Sequence, residues 1–514
     1  MARPIAIAGA ALLAACTGSG KVDTRGAATA GDDPSVYQFH NHPNRDGFFI
    51  DPAITKAAAT TFHNDSTFDG TIGGHVYASP LYADGSLCPD GKAAVYIATE
   101  SNNVYRLDDA TGLPLPGWPV NVGPPAGNNG SGCGDIAPLG ITGTPAIDPA
   151  TRLIVLDAAI GDSHKTLSHT VFGIDACTGG APKWSLPLAS VKDPNGSTFD
   201  PVPQNQRSAA LIVGRNAYFA FGGHNGDCGM YHGWVMAVPL DGTKANARAF
   251  RTDADQSGIW GPGGPASDGQ SIFVTTGNIA NRTGGTSWAG SESVIRLGLD
   301  VSFTKSSGDY YAPANWHDLD NSDADLSGSG PLVLDAPAIT PSALVMAQGK
   351  DGNLYLLDRA NLGGVGAQTV GTIHALNGEI SNAAAFATIG GTTYVVVRPN
   401  GPGMGAGCPN GTHGELVAVK LQPSLPQKMA VAWCASSGGR GNPIITSSDG
   451  TNDALVWIAG AEGDNELHAF DLSTGASIFA GGKIPNIRHL STSIIAARGR
   501  IFAAGDGSVY ALTH

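Results

Sequence analysis

Residues 94–112 read AVYIATESNNVYRLDDATG, and this stretch is the unit that the rest of the chain repeats. It holds an apolar run, Val95-Tyr96-Ile97-Ala98, a polar turn from Glu100 to Asn103, and a second run from Val104 to Leu107. Asp108 and the turn Ala110-Thr111-Gly112 close it. β-Branched and aromatic residues bounded by Asn, Asp and Gly predict two antiparallel strands and a reverse turn. A lone hairpin leaves its apolar faces in water, so copies of the unit must pack on one another.

Copies of the second strand and its turn recur at 172–179, 235–242, 294–300, 354–359, 416–420, 467–475 and 509–512, which with the first makes eight. Their spacing of roughly 40 to 70 residues is that of propeller blades with long loops, whereas a β-sandwich seldom repeats a signature at that period. The expected fold is all-β, an eight-bladed β-propeller of four-stranded antiparallel blades. The last blade runs out at Val509–His514 with no room for an outermost strand. The segment around Phe68–Ile72 is therefore expected to supply it, closing the ring with an N-terminal strand and removing its exposed edges.

Of the 514 residues 72 are Gly and 33 Pro, and 14% are charged, a composition that suits a turn-rich protein with a large core. A net charge of −14 argues against a nucleic-acid partner, which wants a basic face. Arg3 precedes the short apolar run Ile5–Leu13, and Leu13-Ala14-Ala15-Cys16 follows. That run is too short to span a bilayer and reads as a secretory signal. Its end resembles the lipobox of bacterial lipoproteins. The resemblance implies a signal peptide over 1–15, lipidation of Cys16, a tether and extension over 16–60, and the propeller over 61–514. Thr17 after the Cys favours the outer membrane, so the expected setting is the bacterial cell envelope, reached through a lipid anchor, with a monomeric chain.

Without Cys16, six cysteines remain, an even set that suits an oxidising compartment. Six cysteines allow 15 pairings; pairing between neighbouring loops would give Cys88–Cys133, Cys177–Cys228 and Cys408–Cys434. No C-x-x-C-H motif is present for covalent haem. His40 and His42, in FHNHPNRDGFF, form an H-x-H with no third ligand in view, and this segment is expected to pack outside the propeller.

Blades are expected to begin near Gly74, Gly140, Asn205, Gly258, Ser329, Ile380, Gly438 and His489. A propeller's first strand lines its channel, so His75, Thr142, Arg207, Trp260, Arg440 and His489 are the candidates for the axis. Three further segments carry chemistry. Gly258-Ile259-Trp260-Gly261 is followed by the strand Ile272–Asn278; Trp316-His317-Asp318-Leu319-Asp320 is acidic and aromatic; and Gly349-Lys350-Asp351-Gly352 leads into Asn353–Arg359. An aromatic face can floor a planar ligand, amide and carboxylate oxygens suit a hard cation, and a fixed ammonium suits developing negative charge.

These segments resemble motifs of the quinoprotein-like propellers, a group that includes the pyrroloquinoline quinone (PQQ) dependent alcohol dehydrogenases and the outer-membrane barrel-assembly lipoproteins. The resemblance implies PQQ and Ca²⁺ as cofactors. Trp260, Lys350, Cys133 and Arg207 are then the cofactor-binding candidates, and Asn278, Asp227 and Asp318 the metal donors. In the family's W-D-x-D the first Asp is the base and the second binds a larger cation, which makes Asp318 and Asp320 the catalytic candidates. The chain also departs from the family. Cys133-Gly134-Asp135 holds one cysteine where the dehydrogenases have an adjacent pair, residues 136–141 lack the Arg that follows, and Asp227-Cys228 stands where a metal-binding Glu is usual. The acidic run Asp318–Asp325 has the density for a Ca²⁺ loop but lacks the Gly and closing Glu of an EF-hand, so a bound ion and a solvated loop both stay open. No P-loop, G-x-S-x-G or H-E-x-x-H is present. Two functions are expected to compete: a PQQ-dependent dehydrogenase of an alcohol or sugar that passes electrons to a separate acceptor, and a non-catalytic propeller that binds envelope protein or glycan.

Overall fold

The computed structural model describes residues 34–127, 134–279, 287–375, 378–399, 408–409, 413–488 and 493–514. Eight sheets, each built on four antiparallel strands, follow one another along the chain, and three of them carry one further short strand. Their inner strands start at Leu81, Ala146, Leu211, Ala266, Leu332, Ala385, Ile444 and Ile495. The founding hairpin pairs Ala94–Ala98 with Asn103–Asp108 in register, Ile97 opposite Tyr105. Its two faces serve two different cores. Val95 and Ile97 join a cluster shared with blades 7 and 8, and Ala94, Tyr96 and Ala98 join one shared with blade 2. An apolar core of this kind separates each further pair of neighbouring blades, so both sides of each sheet are dry and the ring has no apolar edge.

The ring closes as the sequence implies, with a shift. The outer strand of blade 8 is His63–Asn64, paired antiparallel with Thr513 and Leu512. Asp65–Thr67 then turns, and the chain returns to the same edge, where Gly70 accepts from Val509 N–H (2.8 Å) and Thr71 bridges Ser508. Inside the ring a closed circuit of hydrogen bonds joins the eight inner strands near their first residues. Ser79 N–H reaches Thr144 Oγ1, and Ala210 N–H reaches Thr144 O. Ala209 N–H reaches Pro262 O and Gly263 N–H reaches Ser329 O. Ser329 Oγ reaches Asn382 O, Ala383 N–H reaches Asn442 Oδ1, Asn442 bridges Ser493, and Ser493 N–H returns to Ser79 Oγ. This belt divides the channel into an upper mouth, where the chain enters each inner strand, and a lower mouth.

The H-x-H segment does not lie outside the ring. Residues 36–51 cross the lower mouth and meet the blades one after another in chain order. Val36 N–H binds Tyr82 O (2.8 Å), and Ile147 N–H binds Tyr37 O (2.7 Å); Ile212 N–H reaches Gln38 Oε1 (3.4 Å). Ser267, Val333 and Phe386 donate to the carbonyls of Pro43, Asn44 and Asp46 (2.8, 3.1 and 2.7 Å). Phe48–Ile50 lies parallel to Ile445–Ser447, and Gly499 N–H binds Asp51 Oδ2 (2.6 Å). All eight blades are thus tied by one strap. Its centre is Arg45, fully buried, whose guanidinium donates to the carbonyls of Phe39, Ala209, Ala210 and Pro265. Burial lowers its pKa to about 9. Gly47, at φ +60°, sits where a Cβ would lie 3.0 Å from both Ala385 Cβ and the His40 ring. His40 itself is buried and, chiefly by desolvation, is held neutral with a pKa lowered to about 3, while His42 pairs with Asp46 at 2.9 Å.

The cysteines correct two expected pairings. Cys88 bonds Cys177, and Cys408 bonds Cys434 as expected; this rules out Cys88–Cys133 and Cys177–Cys228, although Cys228 is itself disulfide-bonded. Cys88 follows the first strand of blade 1 and Cys177 the third strand of blade 2. In an antiparallel blade such turns open on one rim, so a spatial neighbour wins over a sequence neighbour. Cys16, Cys133 and His489 lie outside the described residues.

Candidate active site at the upper mouth

Trp260 stands two residues before Pro262 of the belt, half-buried at the start of blade 4. Lys350 enters from the turn between the second and third strands of blade 5, a turn that Gly352 permits at φ +74°. Its Nζ lies over the Trp260 ring, 5.4 Å from the centroid. It is also 2.7 Å from Asp325 Oδ2 and 3.2 Å from Asp323 Oδ2. Asn278, at the end of strand Ser271–Thr276, donates its backbone N–H to Asp325 Oδ1 (2.7 Å) and its Nδ2 to Asp323 Oδ1 (3.4 Å). Trp260, Asn278, Asp323, Asp325 and Lys350 thus form one constellation.

Its electrostatics follow from burial. Desolvation raises the pKa of Asp325 against the pull of Lys350. Desolvation opposes the charge on Lys350 too, but Asp325 and then Asp323 outweigh it and hold the ammonium above its ordinary value. Behind them Glu292, fully buried, accepts Leu326 N–H at 2.6 Å, and desolvation together with the Asp325 charge holds it well above the usual carboxylate range. Glu100 does the same for Gly140 N–H in blade 1 (2.6 Å), with a pKa raised to about 7 by desolvation. The repetition marks both as blade-to-blade ties.

The other sequence candidates do not join this cluster, although Asp320 and Asp227 border it through Ile279 and Tyr231. Asp318 is exposed on the helix Trp316–Ser322. Asp320, buried on the same helix, accepts from Ile279 N–H (3.3 Å) and Ser291 Oγ (3.1 Å), and desolvation pushes it up to about 6. Arg207 pairs with Asp135 at 3.2 Å. Asp227 is exposed and takes the Tyr231 hydroxyl at 2.6 Å. Of the remaining axis candidates, His75 joins Arg488 on Asp506, Arg440 pairs with Glu462, and Thr142 is buried.

Asp323 and Asp325 belong to the acidic run Asp318–Asp325 but are not singled out by motif, and the belt supplies the signal that points to them. Gly140, Asn205, Gly258 and Gly438 each stand four residues before a belt position, at Thr144, Ala209, Pro262 and Asn442. For blade 5 the belt residue is Ser329, so the matching position is Asp325. The W-D-x-D resemblance points instead to Asp318 and Asp320 beside Trp316, and the expected blade start at Ser329 lies four residues past the matching position.

No family model and no curated relative matches the chain. Among solved structures it aligns with the quinohemoprotein alcohol dehydrogenase from Comamonas testosteroni at TM-score 0.64 and 14% identity, over 94% of this chain and 81% of that one. A quinohemoprotein alcohol dehydrogenase from Pseudomonas putida HK5 gives 0.64 at 13% identity, over 93% and 80%. A europium-containing methanol dehydrogenase gives 0.59 at 14% identity, over 94% and 90%. At such identities the likeness speaks for architecture: the chain is an eight-bladed β-propeller with the fold of the quinoprotein alcohol and methanol dehydrogenases.

Proposed function

We propose that the upper mouth binds a planar anionic quinone of the PQQ class and that the protein oxidises an alcohol or sugar with it in the bacterial envelope, anchored through Cys16. The observation that carries this reading is the convergence of Trp260, Lys350 and an Asp-x-Asp pair at the upper end of the channel. An indole face with a fixed ammonium above it is what a flat, negatively charged quinone requires, so these residues fit the organic cofactor. They fit a metal less well. Among the described residues no three His, Cys, Asp or Glu side chains converge to hold an ion. Both Asp325 oxygens are taken, and Asp227 is turned to Tyr231. No step is therefore assigned to Ca²⁺.

When bound, such a quinone accepts the hydride of a CH–OH group. The chain's own residues supply the setting. Trp260 gives the platform. Lys350 Nζ, kept charged by two carboxylates, offers a donor to an oxygen placed over the indole. Asp323, half-exposed at the rim and 3.2 Å from that ammonium, is the carboxylate a substrate hydroxyl can reach, and it takes the proton at Oδ. Asp325, buried behind it, holds Lys350 in position. Electrons then leave to a separate acceptor. The test is dye-linked oxidation of a panel of alcohols and sugars after reconstitution with PQQ: Asp323→Asn is expected to lower kcat at least tenfold with PQQ affinity kept. PQQ binding with no oxidation of any of them would end the enzyme reading.

The second reading is a non-catalytic propeller that binds envelope protein or glycan. It is favoured by the single cysteine at 133 and by the upper-mouth cations Arg207, Arg440 and Arg488, each already matched with a carboxylate. It expects a partner from envelope extract whose capture is insensitive to Trp260→Ala and Lys350→Ala.

A further inference from the structure

The acidic cleft under Trp260 carries its own cation. Asp325 is buried and Asp323 half-exposed at the rim, and each of their four carboxylate oxygens has a partner from the chain. Lys350 Nζ takes Asp325 Oδ2 at 2.7 Å and Asp323 Oδ2 at 3.2 Å. Asn278 takes the other two, through its backbone N–H at 2.7 Å and its Nδ2 at 3.4 Å. The Asn278 amide therefore presents N–H to the carboxylates, where a metal ligand would have to present oxygen. Lys350 has little freedom to move aside. Its side chain is 15% exposed, its own backbone N–H is fixed to Asp325 O at 2.9 Å, and its Nζ stands 5.4 Å from the Trp260 ring centroid. A divalent ion entering here would meet a positive charge at contact distance and would have to break a buried ion pair.

We propose that the Lys350 ammonium is the resident cation of this cleft, standing between Asp323 and Asp325 where a divalent ion would otherwise sit, so that the planar anionic ligand is bound by the indole and the ammonium without a metal bridge. The ligand half of this statement rests on the function proposed above; the cation half concerns the chain alone. It also assigns Lys350 a second task, that of excluding metal from a pair of carboxylates that could hold it.

The test is a thermal-shift and calorimetric titration of the full chain, freed of metal with a chelator, using Ca²⁺, Mg²⁺ and La³⁺. The wild type is expected to show no saturable binding and no shift in Tm. Lys350→Met, which keeps the unbranched apolar stem but ends one atom short of the ammonium position and carries no charge, is expected to gain Ca²⁺ or La³⁺ affinity by about 100-fold or more, read as a rise in Tm with added ion. Lys350→Arg keeps a cation in place and is expected to stay insensitive, which separates the effect from general loosening. Saturable binding by the wild type that Asp325→Asn abolishes would overturn the assignment. Failure of folded Lys350→Met to gain any ion would overturn it as well, because the vacated oxygens would then not form a site. A parallel PQQ titration in chelator and in Ca²⁺ is expected to give equal affinities, and binding only with Ca²⁺ contradicts the proposal. Absence of PQQ binding in both media sinks the proposed function and leaves the cation to be decided by the metal titration.

Discussion

The two mouths of the channel are built from different parts of the chain. The lower one is sealed by backbone: residues 36–51 exchange main-chain hydrogen bonds with the inner strands, and the buried Arg45 spends its donors on carbonyls. The upper one is built from side chains, with Trp260, Lys350, Asp323 and Asp325 on one side and the Arg488–Asp506 and Arg207–Asp135 pairs elsewhere around the rim. The contrast separates stability from chemistry. The strap should carry much of the first and nothing of the second, and the reverse should hold above the belt.

The largest expected effect comes from breaking the strap at its centre. Arg45→Met leaves several buried carbonyls without donors and should destabilise the protein by about 3–5 kcal/mol, read by denaturant titration. A loss below about 1 kcal/mol would show that the strap is merely laid on the ring.

The mouths should also answer pH with opposite sign. His40 in the strap is neutral in the fold, with its pKa lowered from 6.5 to about 3. The unfolded chain binds its proton first, so this stability is complete above pH 6.5 and is lost as pH falls toward 3, by on the order of 4–5 kcal/mol. Glu100 above the belt is raised from 4.5 to about 7. The fold binds its proton first, so stability is fully present below pH 4.5 and is lost as pH rises through 7, by on the order of 3 kcal/mol. His40→Gln should blunt the acid limb and Glu100→Gln the neutral one; measured stability at pH 4, 6 and 8 checks both, and a swap of the two limbs would refute the assignment.

Smaller still is Gly47→Ala, which forces a Cβ into a left-handed turn and against Ala385 and His40, at about 1–3 kcal/mol. Smallest is Trp260→Ala. On a half-buried residue at the open mouth it should change unfolding free energy by about 1 kcal/mol or less while abolishing the aromatic platform. A large loss of stability would make Trp260 a plug instead.

This division also explains what the sequence could reveal. The blades were legible because their hairpin repeats in side chains, β-branched and aromatic residues bounded by Asp and Gly. The strap was not, because backbone hydrogen bonds leave no signature: nothing in FHNHPNRDGFF announces contact with eight sheets. In the cleft, Trp260, Asn278 and Lys350 were found through their motifs. Asp323 and Asp325 stood inside the acidic run without being singled out, because the helix Trp316–Ser322 carries an Asp-x-Asp of its own next to a tryptophan, which matches the motif better. The Cys88–Cys177 bond shows the same limit, since it joins loops that are close on a rim and 89 residues apart in sequence.

The most direct test of the central claim is an equilibrium titration of the full chain with PQQ, followed by visible absorbance and tryptophan fluorescence, beside Trp260→Ala. One saturable site per chain in the wild type, weakened at least tenfold in the variant while the Tm stays within a few degrees, is the predicted result. No saturable binding by the folded wild type, or equal binding by both proteins, would contradict it.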